Sequence, residues 1–309
     1  MDDTLAEKNT DALMEMSLDE LLAKANGVRK TYVGKELQLC SILNARSGLC
    51  SEDCKFCAQA GTHRTDAEVY ALKPKEEIVA AAREAAKIGA SRFGIVTSGN
   101  QLSPQEIETV VAATTEIAQE LGLGICGSLG ALSKAQLEQL KQAGMTRFHH
   151  NIETSERFYP KIVTTHSYQQ RIDTIRSAKE VGLSVCSGGI IGMGETWEDR
   201  VDMAITLKEL DVDSVPINIL VPMAGTPMES VARLSAEDAI RTICLFRIIL
   251  KDTIIKIAAG REPCLGDQQI RGFQAGANGM IIGGYLTTPG DELAKDHRLI
   301  EAIRQLWNE

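Results

Sequence analysis

Cys50, Cys54 and Cys57 stand in the stretch Gly48-Leu-Cys-Ser-Glu-Asp-Cys-Lys-Phe-Cys57, a C-x3-C-x2-C run. Thiolates at this spacing can hold three irons of a cubic [4Fe–4S] cluster and leave the fourth iron without a protein ligand. A cluster that only passes electrons is normally held by four cysteines. The open iron suits a chelator, and S-adenosylmethionine, binding through its amino and carboxylate groups, is the reading the spacing favours. One electron from the cluster then cleaves the sulfonium and yields a 5′-deoxyadenosyl radical, which takes hydrogen from unactivated carbon. Phe56, just before the third cysteine, offers an aromatic ring to the adenine. The competing reading is zinc, with His63 completing the donors, although zinc loops usually pair two cysteine knuckles or one knuckle with histidines.

Composition narrows the setting. A chain of 309 residues with 44% hydrophobic side chains supports one large domain. The net charge of −9 argues against a nucleic-acid partner, which requires a basic stripe. No apolar run approaches the roughly 20 residues of a membrane span. The first residues, Met-Asp-Asp-Thr, are acidic rather than basic-then-apolar, so no export signal is read. Eight cysteines without such a signal point to metal binding in the cytoplasm rather than to disulfides.

The elements that must position the cysteines alternate. The first 30 residues read as helix, with Asn26-Gly27 as its stop. A strand over 37–43 feeds the cysteine loop. Helix and strand then follow at 74–88 and 92–97, from Ser103-Pro104 and at 122–128, and at 131–144 and 145–151. The pattern continues at 168–182 and 183–191, at 196–210 and 214–221, and at 236–250 and 253–258. A short unit at 268–276 and 279–282 and a helix over about 291–309 close the chain. Repeated βα units imply a parallel sheet, and about eight of them fit a (β/α)8 TIM-type barrel forming a single domain over 1–309. Chemistry in such barrels sits at the C-terminal strand ends, where the cysteine loop emerges.

From about residue 30 to residue 290 the sequence resembles the biotin synthase family. The matching blocks are Asn44 to Cys57, His150-Asn-Ile-Glu-Thr-Ser155, Cys186 to Thr196, Pro216 to Val221 with Gly225-Thr-Pro227, Ala259-Gly-Arg-Glu262, and Ala275 to Asn278 with Leu286-Thr-Thr-Pro289. The resemblance implies a radical S-adenosylmethionine enzyme that converts dethiobiotin to biotin by inserting sulfur between C9 and C6. It assigns the ribose to Asn151 and Glu153 (the family has aspartate at the latter), the methionyl carboxylate to Arg171, and the adenosine to the Gly188-x-Ile190-x-Gly192 backbone. It assigns the ureido ring to Asn151 and Asn218 and the carboxylate tail to Thr287 and Thr288. His149 and His150 read as strand-end histidines rather than ligands.

One part of the family pattern fails. The usual second cluster, a [2Fe–2S] unit held by three cysteines and an arginine, keeps only Cys126 and Cys186 here. Gly94 replaces the third cysteine and Lys256 the arginine. An ammonium lacks the planar fork of a guanidinium, so that ligand set cannot form. Cys40, early on the first strand, supplies a thiol at matching depth. The expectation is therefore a different auxiliary iron–sulfur cluster, four-iron in type, held mainly by Cys40, Cys126 and Cys186, with Cys264 a weaker fourth candidate. Cys244 reads as core. The resemblance also implies an external electron donor such as a flavodoxin or ferredoxin, and a homodimer. The alternatives are a relative resembling the [FeFe]-hydrogenase maturase, and a non-catalytic iron–sulfur sensor.

Overall fold

The computed structural model describes Thr10, residues 12–286, Gly290 and residues 292–308. Nine strands form one parallel sheet: β1 (Gln38–Arg46), β2 (Arg92–Thr97), β3 (Gly124–Ser128), β4 (Arg147–His149), β5 (Ser184–Cys186), β6 (Gly189–Ile191), β7 (Ser214–Ile219), β8 (Ile254–Ile257) and β9 (Gly279–Ile281). Their order is β5-β4-β3-β2-β1-β9-β8-β7-β6, and a further pairing of β5 with β7 at Cys186 and Ser214 closes the ring. β5 and β6 are two halves of one passage, so the barrel has eight staves. The expected single strand over 183–191 is broken at Ser187-Gly188. There the chain draws so near its neighbours that a Cβ on Gly188 would lie 2.0 Å from the Pro216 carbonyl oxygen, and one on Gly189 2.3 Å from that of Glu153.

The helices surrounding the sheet are α1 (Leu18–Tyr32), α2 (Lys75–Lys87), α3 (Pro104–Glu120), α4 (Lys134–Gln142), α5 (Tyr168–Glu180), α6 (Trp197–Glu209), α7 (Ala236–Leu250), the short α8 (Arg261–Leu265) and α9 (Gln269–Gln274), and α10 (Leu293–Leu306). Capping boxes open α1, α3, α4 and α6 at Ser17, Ser103, Ser133 and Thr196. Each satisfies otherwise orphaned N–H groups at the first turn. Buried aliphatic residues such as Ile78, Ile117, Leu207 and Phe246 fill the space between helices and sheet.

Two expectations about the flanks change. Asn26-Gly27 does not end the first helix, which runs on to Tyr32. Asn26 Oδ1 instead accepts from Arg29 Nε at 3.0 Å, and the buried Arg29 guanidinium lies over the Trp307 ring at 4.6 Å. Packing thus overrides a local stop signal. The closing helix occupies Leu293–Leu306. Among the described residues no helix is long and apolar enough to cross a membrane.

Candidate active site

β1 ends at Arg46, whose guanidinium bonds the Ser98 carbonyl through Nε at 2.9 Å and Glu106 at 2.7 Å. The cysteine loop begins there. Gln59 Oε1 accepts from Gly48 N at 3.2 Å, the Gln59 carbonyl from Cys50 N at 3.0 Å, and the Cys50 carbonyl from Gly61 N at 2.8 Å. His63 lies with Nδ1 2.9 Å from the Cys57 carbonyl oxygen, so that nitrogen serves the loop's own backbone rather than a fourth metal position. Asp53 docks the loop on the segment after β4: its carboxylate accepts from Thr164 N at 2.9 Å and Thr165 N at 3.2 Å. Despite partial desolvation, the Thr164 and Thr165 bonds hold Asp53 down at about 2.

All three loop thiols are free. Burial pushes the Cys54 thiol up strongly and that of Cys57 to about 11, so the protons must leave when metal binds. Among the described residues no three cysteine, histidine or carboxylate groups are gathered closely enough for a single ion. An iron–sulfur cube spreads its thiolate ligands further apart than one ion does, and three unbonded thiols on one clamped loop fit that demand. Phe56 is half-buried against the core.

Next to the loop lies a chain of polar groups. Arg171, on α5, faces inward: its Nε donates to Tyr159 Oη at 2.6 Å and NH1 to the Asn151 carbonyl at 3.0 Å. Glu153 stands 3.8 Å from Arg171 and accepts from Asn151 Nδ2 at 3.3 Å, so the longer arm turns back toward both. Its backbone is left-handed, φ 68°, which is unusual for a side-chain-bearing residue and clusters at functional positions. That conformation lets Glu153 bridge Gly189. His166 contacts Tyr159 Oη through Nδ1 at 2.6 Å and Cys54 Sγ through Nε2 at 3.7 Å. Burial, then Arg171, lowers its pKa and keeps the imidazole neutral.

Inside the barrel is a cavity of about 280 Å³. Cys40, Cys126, Cys186 and Lys256 line it, with Asn151 and Asn218 also on its wall. Register explains the convergence: Gly94 pairs with Cys126 and Ile42 across β1 to β3, and His149 pairs with Cys186. No carboxylate lines the cavity among the described residues, yet cations do. Lys256 Nζ is 3.9 Å from Cys186 Sγ, and Arg92 NH1 is 3.6 Å from Cys126 Sγ. Burial alone would raise the Cys186 thiol, but Lys256, His149 and Arg147 outweigh it and draw it down to about 5. Burial opposes the charge on Lys256, but the thiols of Cys186, Cys40 and Cys126 raise its pKa.

Asn218 bonds the Gly189 carbonyl through Nδ2 at 3.1 Å and the Ala259 amide through Oδ1 at 3.2 Å. Asn151 Oδ1 accepts from Gly188 N at 3.1 Å. Each amide keeps a further N–H and lone pair for the cavity. The close approach of Pro216 already requires Gly188. Gly192 turns at φ 89° with its N–H on Glu195 at 2.8 Å, while Ile190 is half-buried beside Asn218 in register.

Of the two remaining cysteines, the expectation for Cys264 is corrected and that for Cys244 holds. Cys264 does not enter the barrel; it lies on α8 with its sulfur 3.5 Å from the Leu234 carbonyl, lining a separate small cavity. Cys244 is fully buried in α7, its thiol pushed up to about 12 by desolvation. His149, the last residue of β4, does face the cavity, as does Asn151 two residues further on. Tyr159, His166 and Arg92 carried no signal of their own. Thr287 and Thr288 lie outside the described residues, but Leu286, whose carbonyl accepts from Asn44 Nδ2 at 3.3 Å, lines the cavity.

A parallel barrel with a three-cysteine loop at its mouth defines a radical S-adenosylmethionine protein, and residues 46–207 match the Radical SAM superfamily. Such proteins carry a [4Fe–4S] cluster and S-adenosylmethionine. Residues 216–303 match the Biotin and Thiamin Synthesis associated domain. The chain is 49% identical over 295 residues to a biotin synthase of Thermotoga petrophila, covering 95% of this chain and 97% of that protein. It belongs to the biotin synthase family. Solved structures of a methylornithine synthase (TM-score 0.78, 23% identity, 92% of this chain and 83% of that one) and of the FeFe-hydrogenase maturase from Carboxydothermus hydrogenoformans (0.78, 16%, 97% and 78%) share the fold alone.

Proposed function

We infer that this protein inserts sulfur into dethiobiotin to give biotin, starting the reaction at the Cys50–Cys54–Cys57 loop. The observation that carries this reading is one cavity lined by three thiols and two asparagines. When bound, the loop cluster supplies the electron that cleaves S-adenosylmethionine into a hydrogen-abstracting radical. Arg171 receives the methionyl carboxylate, because a guanidinium suits bidentate pairing. Glu153 and Asn151 take the ribose hydroxyls, Phe56 packs on the adenine, and the backbone from Gly188 through Ile190 to Gly192 flanks the adenosine. Asn151 and Asn218 offer their free amide positions to the ureido ring, while Thr287 and Thr288 receive the carboxylate tail. Shared between ribose and ureido sites, Asn151 sets the two molecules side by side, and the narrow cavity excludes water from between them.

Cys40, Cys126 and Cys186 hold the auxiliary cluster, which is four-iron rather than [2Fe–2S] and supplies the sulfur when bound. Gly94 removes one thiol from the usual set, and Lys256 brings a charge rather than a ligand. With no carboxylate on the wall among the described residues, Lys256 and Arg92 need an anion, and thiolates carrying a cluster would provide it. An external flavodoxin or ferredoxin supplies the electrons, and the enzyme works as a cytoplasmic homodimer.

Anaerobic incubation of the reconstituted protein with S-adenosylmethionine, a strong reductant and dethiobiotin tests the activity. Biotin and 5′-deoxyadenosine are expected together; 5′-deoxyadenosine without biotin would refute the substrate assignment. Iron and sulfide counting tests the second cluster. A total of about four irons per chain, the content of one cube, would refute it.

A further inference from the structure

We propose that His166 is a positioning residue for the radical-generating cluster: its Nε2–H donates to the Cys54 sulfur and ties the cluster's reduction potential to what Arg171 holds. The proposal rests on the reading of Cys50, Cys54 and Cys57 as cluster ligands. It concerns a residue outside the cysteine loop, on the segment that Asp53 clamps against it.

The tautomer follows from the surrounding donors. Arg171 Nε–H donates to Tyr159 Oη at 2.6 Å, which leaves the hydroxyl proton for His166 Nδ1, also 2.6 Å away. The imidazole proton then sits on Nε2, facing Cys54 Sγ at 3.7 Å. A second group agrees. Glu52 Oε2 is buried without a hydrogen-bond partner and lies 3.8 Å from the same nitrogen. The opposite tautomer would turn a nitrogen lone pair on the Cys54 thiolate and leave the Tyr159 proton without an acceptor among the described residues. The side chain of His166 is 4% exposed, so water does not compete for the bond.

Arg171 closes the circuit. Its NH2 also approaches His166 Nε2, at 3.3 Å. With Nε2 protonated, that approach sets two donors face to face. A carboxylate drawing Arg171 toward itself relieves the approach and lets His166 bond the sulfur more fully. Hydrogen bonds to a cluster's sulfur ligands favour its reduced state. Binding of the methionyl carboxylate therefore makes the electron easier to accept at the moment it is needed.

The test is a redox titration of the reconstituted full-length protein, followed by EPR, with and without S-adenosylmethionine. The variants are His166→Leu, His166→Gln and Tyr159→Phe. His166→Leu is expected to keep its iron and lower the reduced fraction at fixed potential roughly tenfold, ~59 mV for a one-electron couple. Its response to S-adenosylmethionine should shrink as well. Glutamine, which retains an N–H donor, should recover most of the shift. Tyr159→Phe, which leaves the ring proton free to change sides, should shift the potential in the same direction by less. An unchanged potential in His166→Leu overturns the proposal. Should that variant lose iron, an unchanged potential in Tyr159→Phe overturns it instead. If the wild-type protein forms no cluster that responds to S-adenosylmethionine, the functional reading itself fails, a result distinct from either.

Discussion

The ammonium of Lys256 stands 3.9 Å from the sulfur of Cys186, in a barrel cavity with no carboxylate on its wall among the described residues. The pair charges itself: the thiol falls to about 5, against burial, because Lys256, His149 and Arg147 favour the thiolate. The charges around Cys186 in the metal-free protein therefore favour its thiolate. Lys256→Met removes the nearest cation, and the thiol should rise toward or above the ordinary value of ~8.5. The midpoint of the pH dependence of Cys186 alkylation, measured by peptide mass spectrometry, should move up by at least about one unit. An unchanged midpoint would separate the thiol's acidity from Lys256.

Cys126 and Cys244 test the division between ligand and core. Cys126→Ala should lose the auxiliary iron and keep the loop cluster. Cys244→Ala should keep all its iron and lose about 1 kcal/mol of stability to the cavity it leaves in α7. Parallel iron counting and denaturant titration read both. Equal iron loss in the two variants would contradict the assignment.

Gly188→Ala puts a Cβ where the Pro216 carbonyl oxygen lies only 2.0 Å away. A rigid backbone atom cannot yield as a flexible side chain does. The substitution should cost at least about 1–3 kcal/mol and lower the thermal midpoint even in metal-free protein. A variant of wild-type stability would mean that the β5–β7 closure is looser than its geometry implies.

Asp199 gives a pH-dependent prediction. Burial opposes its charge, but bonds from Ser155, Thr196 and Arg157 hold its carboxyl down at about 2. Because the folded value lies below the unfolded ~3.9, the carboxylate's contribution is complete above that pH. It is lost as pH falls from about 4 through 2. Asp199→Asn should therefore be less stable than wild type at neutral pH, with the gap in thermal midpoint narrowing below pH 4. A gap that stays constant down to pH 2 would rule out Asp199 as its source.

The alternation of strands and helices was legible because hydrophobic periodicity is local, and so was the cysteine loop, whose chemistry lies within eight residues. What escaped the sequence was set by distant neighbours. The break at Ser187-Gly188 arises from Pro216 and Glu153, and α1 runs through Asn26-Gly27 because Arg29 reaches Trp307. Arg171 faces inward, which periodicity on a polar helix does not reveal, and Tyr159 and His166 gain meaning only between Arg171 and Cys54. Cys264 misled because its position past a strand end does not show that α8 turns its sulfur toward Leu234. Cys40, Cys126 and Cys186 were readable together because each holds the inward phase of its own strand.

Cys40 lies on β1 beside Ile281 of β9, at the seam where the first and last strands meet. Closing that seam joins residues separated in sequence by most of the barrel. The cavity holding Cys40, Cys126 and Cys186 is therefore a product of complete folding. Cys50, Cys54 and Cys57 belong to one short loop, which Asp53 ties to Thr164 and Thr165. One set of thiols is gathered by a single loop, the other only by the closed ring of strands.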